Sequence, residues 1–237
     1  MRKSSLYNLP CALSLVAAAI TPGAPATGNV KPDSGKFITT LHGALFSTDS
    51  FSILADGSSR FDENLAMPVK IAIHGVVKTR ANHAIEISTS APGHGGFDLK
   101  ISGVKGSLSA NNRPAEPITV QPNLFPFGNA ATHLLDYLVA GYNAAKGGLQ
   151  SFTVIVVESS GREGPPTTRA SLTFRGTLPE KVGGKPFTAR RYSLVLVGPA
   201  GNVDTEILTD GAGRVLLWAV PGQKLLSVRV GYQSLRI

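Results

Sequence analysis

Three stretches of this chain alternate apolar and polar residues with a period of two. In VKIAIHGVVK (69–78), Val69, Ile71, Ile73 and Val77 fall on one face and Lys70, His74 and Lys78 on the other. NHAIEIS (82–88) sets Ile85 and Ile87 against Glu86 and Ser88, and FDLKISGV (97–104) sets Phe97, Leu99 and Ile101 against Asp98, Lys100 and Ser102. Only a pleated strand separates such residues cleanly, with one face on a core and the other in water. The links between these stretches are short, so antiparallel pairing follows. The chain's 26 Gly and 16 Pro are the punctuation that a turn-rich β protein needs.

The same rhythm runs along most of the chain. KFITTLH (36–42) is the first strand candidate. Residues 47–68, STDSFSILADGSSRFDENLAMP, read as an irregular connection, with Asp56-Gly57 marking a turn. The segment 111–128 carries four prolines, which exclude both regular helix and a central strand. One amphipathic helix is expected over 129–145, capped by Asn129 and stopped by Gly147-Gly148. Leu134, Leu135, Leu138, Val139 and Tyr142 form its apolar face, flanked by His133, Asp136 and Tyr137. A membrane-surface helix would need basic residues on its polar face, and none occurs before Lys146. Strands resume at 151–157, 169–175 and 192–197. A closing meander follows over 203–209, 214–220 and 224–230, with turns at Asp210-Gly211 and Pro221-Gly222. The expected core includes Val69, Ile71, Leu99, Leu135, Leu138, Val154, Leu172, Phe174, Leu194, Leu196, Leu217 and Val228.

The N-terminus reads as an address. Arg2 and Lys3 precede an apolar run from Leu9 to Ile20, and Ala24 and Ala26 stand at signal-peptidase spacing. This predicts a signal peptide over 1–26, a polar linker over 27–35 and one β domain over 36–237, exported to the periplasm or the medium. A retained N-terminal anchor is the alternative. The run is short of the roughly 20 residues a membrane span needs, and no later stretch approaches that length, so a transmembrane protein is not expected. The single cysteine, Cys11, lies in the leader behind Pro10, a poor setting for lipidation. The mature chain would then carry no thiol, which excludes disulfides, thiolate metal sites and a cysteine nucleophile.

Lys and Arg number 23 against 15 Asp and Glu; removing Arg2 and Lys3 leaves 21 against 15, a net +6. The basic residues are scattered and no nucleic-acid module is visible, so nucleic acid is not an expected partner. Catalytic motifs are equally scarce. The chain lacks G-x-S-x-G, whose glycines permit the sharp turn at a nucleophilic serine, and lacks a phosphate-binding G-x-x-x-x-G-K-[ST]. GHGG (93–96) reads as a hairpin turn. The histidines, at 42, 74, 83, 94 and 133, show no zinc spacing, and no cofactor or metal is implied. Asp204 and Glu206 share one strand face, read here as the wet one.

The second half carries a resemblance. PNLFPFGNAATHLLDYLV leads through prolines into the helix, and LQSFTVIVVES is the strand after it. ARRYSLVLVGPAGNVDTEILTDGAGRVLLWAVPGQKLLSVR carries a tyrosine strand, a D-G-x-G-R turn and a V-P-G-Q close. Over about residues 121–230 this resembles the N-terminal β domain that precedes the catalytic domain of some secreted bacterial α/β hydrolases. That domain is similar in turn to periplasmic β-sheet domains of unknown function and to the curved sheet of lipoprotein carriers. The resemblance implies a strongly twisted antiparallel half-barrel packed on one central helix, either free-standing or from a truncated hydrolase. It brings no catalytic residue, and Arg214 and Arg229 read as strand-edge or ion-pair residues.

Three functions remain open. The first is a non-enzymatic binding domain for an apolar or lipid-like ligand, or for a partner protein. Its ligand would meet Leu135, Leu138, Tyr142, Phe174 and Trp218 between sheet and helix, unless packing fills that space. The second is an accessory module of an exported hydrolase. The third is an enzyme with a cryptic site at His74, Asp98 or Glu206.

Overall fold

The computed structural model describes residues 28–111, 113–158, 165–198 and 201–237. The expected leader over 1–26 lies outside them. Fifteen strands form one sheet. They are β1 (Asp33–Leu41), β2 (Ala44–Ile53), β3 (Ser59–Leu65), β4 (Ile71–Arg80), β5 (His83–Ala91), β6 (Gly95–Ser102), β7 (Lys105–Ala110), β8 (Glu116–Thr119), β9 (Leu124–Phe127), β10 (Leu149–Val156), β11 (Thr167–Val182), β12 (Lys185–Gly198), β13 (Gly201–Thr209), β14 (Val215–Val220) and β15 (Leu225–Arg229). Between β9 and β10 a 3-10 turn, Thr132–Leu134, runs into helix α1 (Leu135–Gly141).

Two meanders meet in the middle of the sheet. Strands β1 to β8 run outward in one direction and β15 back to β10 in the other, with β1 paired antiparallel to β15. The guanidinium of Arg229 closes this seam with two bonds to the Asp33 carboxylate, 2.7 and 2.8 Å. Strand β9 joins the far edge by pairing in parallel with β10, the one departure among these pairings from an antiparallel sheet.

Chain length then dictates the curvature. Fifteen strands laid flat would span roughly 67 Å at about 4.8 Å per strand. Yet Thr119 ends one edge strand and Leu124 begins the other, and so short a link reaches at most about 18 Å. The two edges must approach each other, so the sheet curls. Strand β9 packs on β5, with His83 edge-on to Phe125 at 4.6 Å. Two of the four prolines of 111–128 sit where a missing donor matters least, Pro117 in edge strand β8 and Pro126 in edge strand β9. The expected half-barrel around one helix is the observed architecture.

Several expected boundaries differ. Strand β1 begins at Asp33 rather than residue 36. Helix α1 is shorter than the expected 129–145. Its start is delayed because Glu158 holds the amides of Asn129, Ala130 and Ala131 outside a helix. Its end comes at Gly141, because the Gln150 side chain binds both the amide and the carbonyl of Asn143. The helix is also buried all round. His133, Asp136 and Tyr137, read as its polar flank, are interior. Leu134, Leu135, Leu138 and Val139 are buried with them, worth about 1.5–3 kcal/mol each.

The residues read as an irregular connection, 47–68, are the hairpin β2–β3 with Asp56-Gly57 at its turn. Val69 is exposed ahead of β4, while Ile71, Phe174 and Leu196 are half-buried against the core. Leu217 and Val228 are buried in a second cluster, where Leu178, Val182 and Phe187 of the long β11–β12 hairpin cover them together with Leu208, Leu216 and Leu235. A bulge at Ile85 puts Ala84 and Ile87 inside in place of the Ile85–Ile87 pair.

Gly75 of β4 lies beneath Phe61 of β3, and a Cβ there would stand 2.1 Å from the ring. Gly75→Val is expected to cost about 1–3 kcal/mol by overpacking, read as a lower urea midpoint. Combining it with Phe61→Leu should recover part of that loss; strict additivity would show that the ring is not the obstacle.

A buried polar array and an acid-lined cavity

The hairpin missed in the sequence carries the polar interior. Asp49 and Glu63 are register partners on β2 and β3, and both side chains face inward. Ser59 lies on the same face of β3. The 3-10 turn inserts His133 between them. His133 Nδ1 is 2.8 Å from Asp49 Oδ2, and its Nε2 is 2.8 Å from Ser59 Oγ. A carboxylate only accepts, so Nδ1 carries a proton toward Asp49, and Nε2 is left to share a hydrogen bond with the serine hydroxyl. Phe51 stacks on the imidazole at 4.6 Å and Phe61 lies tilted at 5.3 Å.

The other polar residues of this short helical segment are tied to β15, β14 and the β2–β3 turn. Thr132 Oγ1 meets Ser227 Oγ of β15 at 2.7 Å, and Ser227 in turn takes the Thr39 hydroxyl of β1. Asp136 Oδ1 accepts the Val215 amide of β14 at 2.6 Å. Tyr137 donates to the Gly57 carbonyl at 2.9 Å. The other Asp136 oxygen is buried without a partner, and burial raises this carboxyl well above its ordinary range while the Val215 amide opposes the shift.

Beside this array a cavity of about 430 Å³ opens between β3–β7 and residues 129–130. Phe46, Leu65, Ile71, Ile73, Phe97 and Ala110 supply apolar wall, and Glu63 and Glu158 supply carboxyls. Glu158 is anchored by three amides, Asn129 at 2.6 Å, Ala130 at 2.7 Å and Ala131 at 2.8 Å. These donors favour its charged form, although burial still raises its pKa. Glu63 has no such donors. Burial first, then the charges of Glu158 and Asp49, push it up to about 10. The proton therefore belongs to Glu63, and neither of its oxygens has a hydrogen-bond partner.

The residues expected at a site lie elsewhere. Tyr142 and Phe174 converge on Tyr192, at 5.7 and 5.4 Å. Leu135 and Leu138 are buried in the same core, and Trp218 meets Phe127 edge-on at 6.1 Å. None of the five lines the cavity. His74, Asp98 and Glu206 stand on three separate strands, each with its own partner: Asp62 at 2.5 Å, Ser88 at 2.5 Å and Arg191. Asp204 is exposed on the same strand as Glu206, while Thr205 and Ile207 are inside. Arg214 pairs with Asp210 as Arg229 does with Asp33. Among the described residues no group of three His, Cys, Asp or Glu could hold a metal, and no helix is long and apolar enough to cross a membrane.

Ser59→Ala should cost about 1–3 kcal/mol in chemical denaturation, because it strands His133 Nε2 in the interior. The Glu63 proton sets a pH dependence. The unfolded carboxyl titrates near 4.5 and the folded one near 10. Between those values the folded state binds the extra proton, so stability is greatest at low pH and falls as pH rises. Unfolding free energies measured from pH 5 to 9 should decline, and Glu63→Gln should flatten the decline. An unchanged slope in that variant would place the proton elsewhere.

No protein-family model matches the chain, and no curated protein matches it. Solved structures align with the chain. A candidate exported protein with a YmcC-like fold from Bacteroides fragilis aligns at a TM-score of 0.33 and 9% identity, over 87% of this chain and 97% of that one. A β-barrel-like protein of the domain of unknown function DUF1849 from Brucella abortus aligns at a TM-score of 0.57 and 7% identity, over 86% of this chain and 98% of that one. The curled sheet described above is thus a β-barrel-like fold that the chain shares with the Brucella domain.

Proposed function

We propose that this protein is a binding protein of the periplasm or the medium that holds an apolar or lipid-like small molecule in the cavity between β3–β7 and residues 129–130. The observation that carries the reading is the cavity itself. Its volume of about 430 Å³ and its largely apolar wall suit a small ligand with a few polar groups. Export rests on the leader-like segment 1–26, with residues 36–237 as the binding unit. In this reading Leu135, Leu138, Tyr142, Phe174 and Trp218 keep α1 seated and the cavity in shape.

One observation favours a second reading, an enzyme. The Ser59–His133–Asp49 distances are those of a serine hydrolase triad, in which histidine takes the hydroxyl proton and the carboxylate orients the ring. All three residues are wholly buried, however, and none lines the cavity. A nucleophile must reach its substrate, so the binding reading is preferred.

Titration with octanol tests the proposal by nuclear magnetic resonance. The amide signals of Ile71, Ile73 and Phe97 should shift in a saturable way, and Ile73→Trp, which fills the cavity, should abolish the shifts. Signals that stay fixed at every octanol concentration would overturn it.

A further inference from the structure

The charges around the cavity narrow the ligand further. The protein as a whole is basic, with net +8. Yet the residues that line the cavity include two carboxyl groups, Glu63 and Glu158, and no Lys or Arg. A third carboxyl, Asp49, stands beside Glu63 across the β2–β3 pairing. Asp49 is engaged by His133, and Glu158 by three backbone amides. Glu63 is wholly buried, and neither of its oxygens accepts a hydrogen bond. An unpaired carboxyl in an apolar wall is costly, and a cation or a shared proton is what relieves it.

Resting on the binding function proposed above, we infer that the ligand is an amphiphile whose polar end is an ammonium group, seated between Glu63 and Glu158 with its apolar body along Ile71, Ile73 and Phe97. The ammonium takes the place of the Glu63 proton, which passes to solvent, and its N–H groups donate to two carboxylates that no side-chain cation in the cavity wall neutralises. The low-dielectric wall strengthens that attraction. A fatty acid or a phosphate-bearing lipid meets the same two carboxyls with the opposite result, since nothing in the lining offers its headgroup a positive charge. The other titratable groups nearby are Asp49 behind Glu63, and His94, which also lines the cavity.

Calorimetric titration of the whole protein with octylammonium, octanol and octanoate at neutral pH separates the cases. Octylammonium should bind at least tenfold more tightly than octanol, and octanoate more weakly than either. Glu63→Gln preserves the size and polarity of the side chain but cannot carry a charge, and should bring octylammonium to parity with octanol. Octanol binding with no preference for the ammonium, a preference for octanoate, or an ammonium preference that survives Glu63→Gln would overturn the inference while leaving the binding function in place. Failure of all three probes would overturn the binding function and this inference together. The comparison among probes on the unmodified protein decides the matter even where Glu63→Gln fails to fold.

Discussion

A link of a few residues between opposite edges of a fifteen-stranded sheet is the constraint on which this structure depends. A sheet held by its edges cannot stay flat, and the right-handed twist of its strands gives the curl its sense. Curling creates an inside, and a single short helix is too small to fill it. The rest of the interior is closed by side chains, by β9 packed across on β5, and at one end by a cavity.

The inside face is polar where helix meets sheet. Packing alone leaves a seven-residue helix free to rotate or slide against a smooth apolar wall. Here Thr132 is bonded to β15, Asp136 to β14, and His133 and Tyr137 to the β2–β3 hairpin. Directional contacts to β15, to β14 and to the β2–β3 hairpin fix rotation and depth together. The Ser59–His133–Asp49 array belongs to this set, which accounts for a triad's distances among wholly buried residues. The Glu63–Glu158 pair is different in kind. Glu158 organises the backbone entering the helix, whereas Glu63 contributes no bond that holds the fold and faces the cavity.

How much of this was legible in the sequence depends on which face carried the polar residues. Strands β4 and β6 were readable because Ile73, Val77, Phe97 and Leu99 are inside while His74, Lys78, Asp98 and Lys100 are outside. Strands β2 and β3 obey the same alternation, but Ser47, Asp49, Ser59 and Glu63 occupy inward positions beside Phe51, Ile53 and Phe61. Polarity then stops reporting the face, and the hairpin passed for a loop. The candidate site was hidden for that same reason, since three of its residues lie in those two strands. A recurrence of Phe and Ile at every second position, read without regard to the polar residues between, was the signal available. The helix ends were illegible because Glu158 and Gln150, distant or later in the chain, decide them.

The seam between β1 and β15 has a consequence for how the molecule comes into being. Each meander is built from neighbours in sequence, and its hairpins can form as soon as their strands exist. The joint between the meanders links Phe37 to Arg229, a loop closure across nearly the whole chain. Such closure is entropically slow and comes after local pairing. Until the last strand arrives, β1 and β14 each present a bare edge to the surroundings. Asp33 and Arg229 therefore act as a latch at the end of assembly, and the half-finished sheet is the species most open to pairing with strands other than its own.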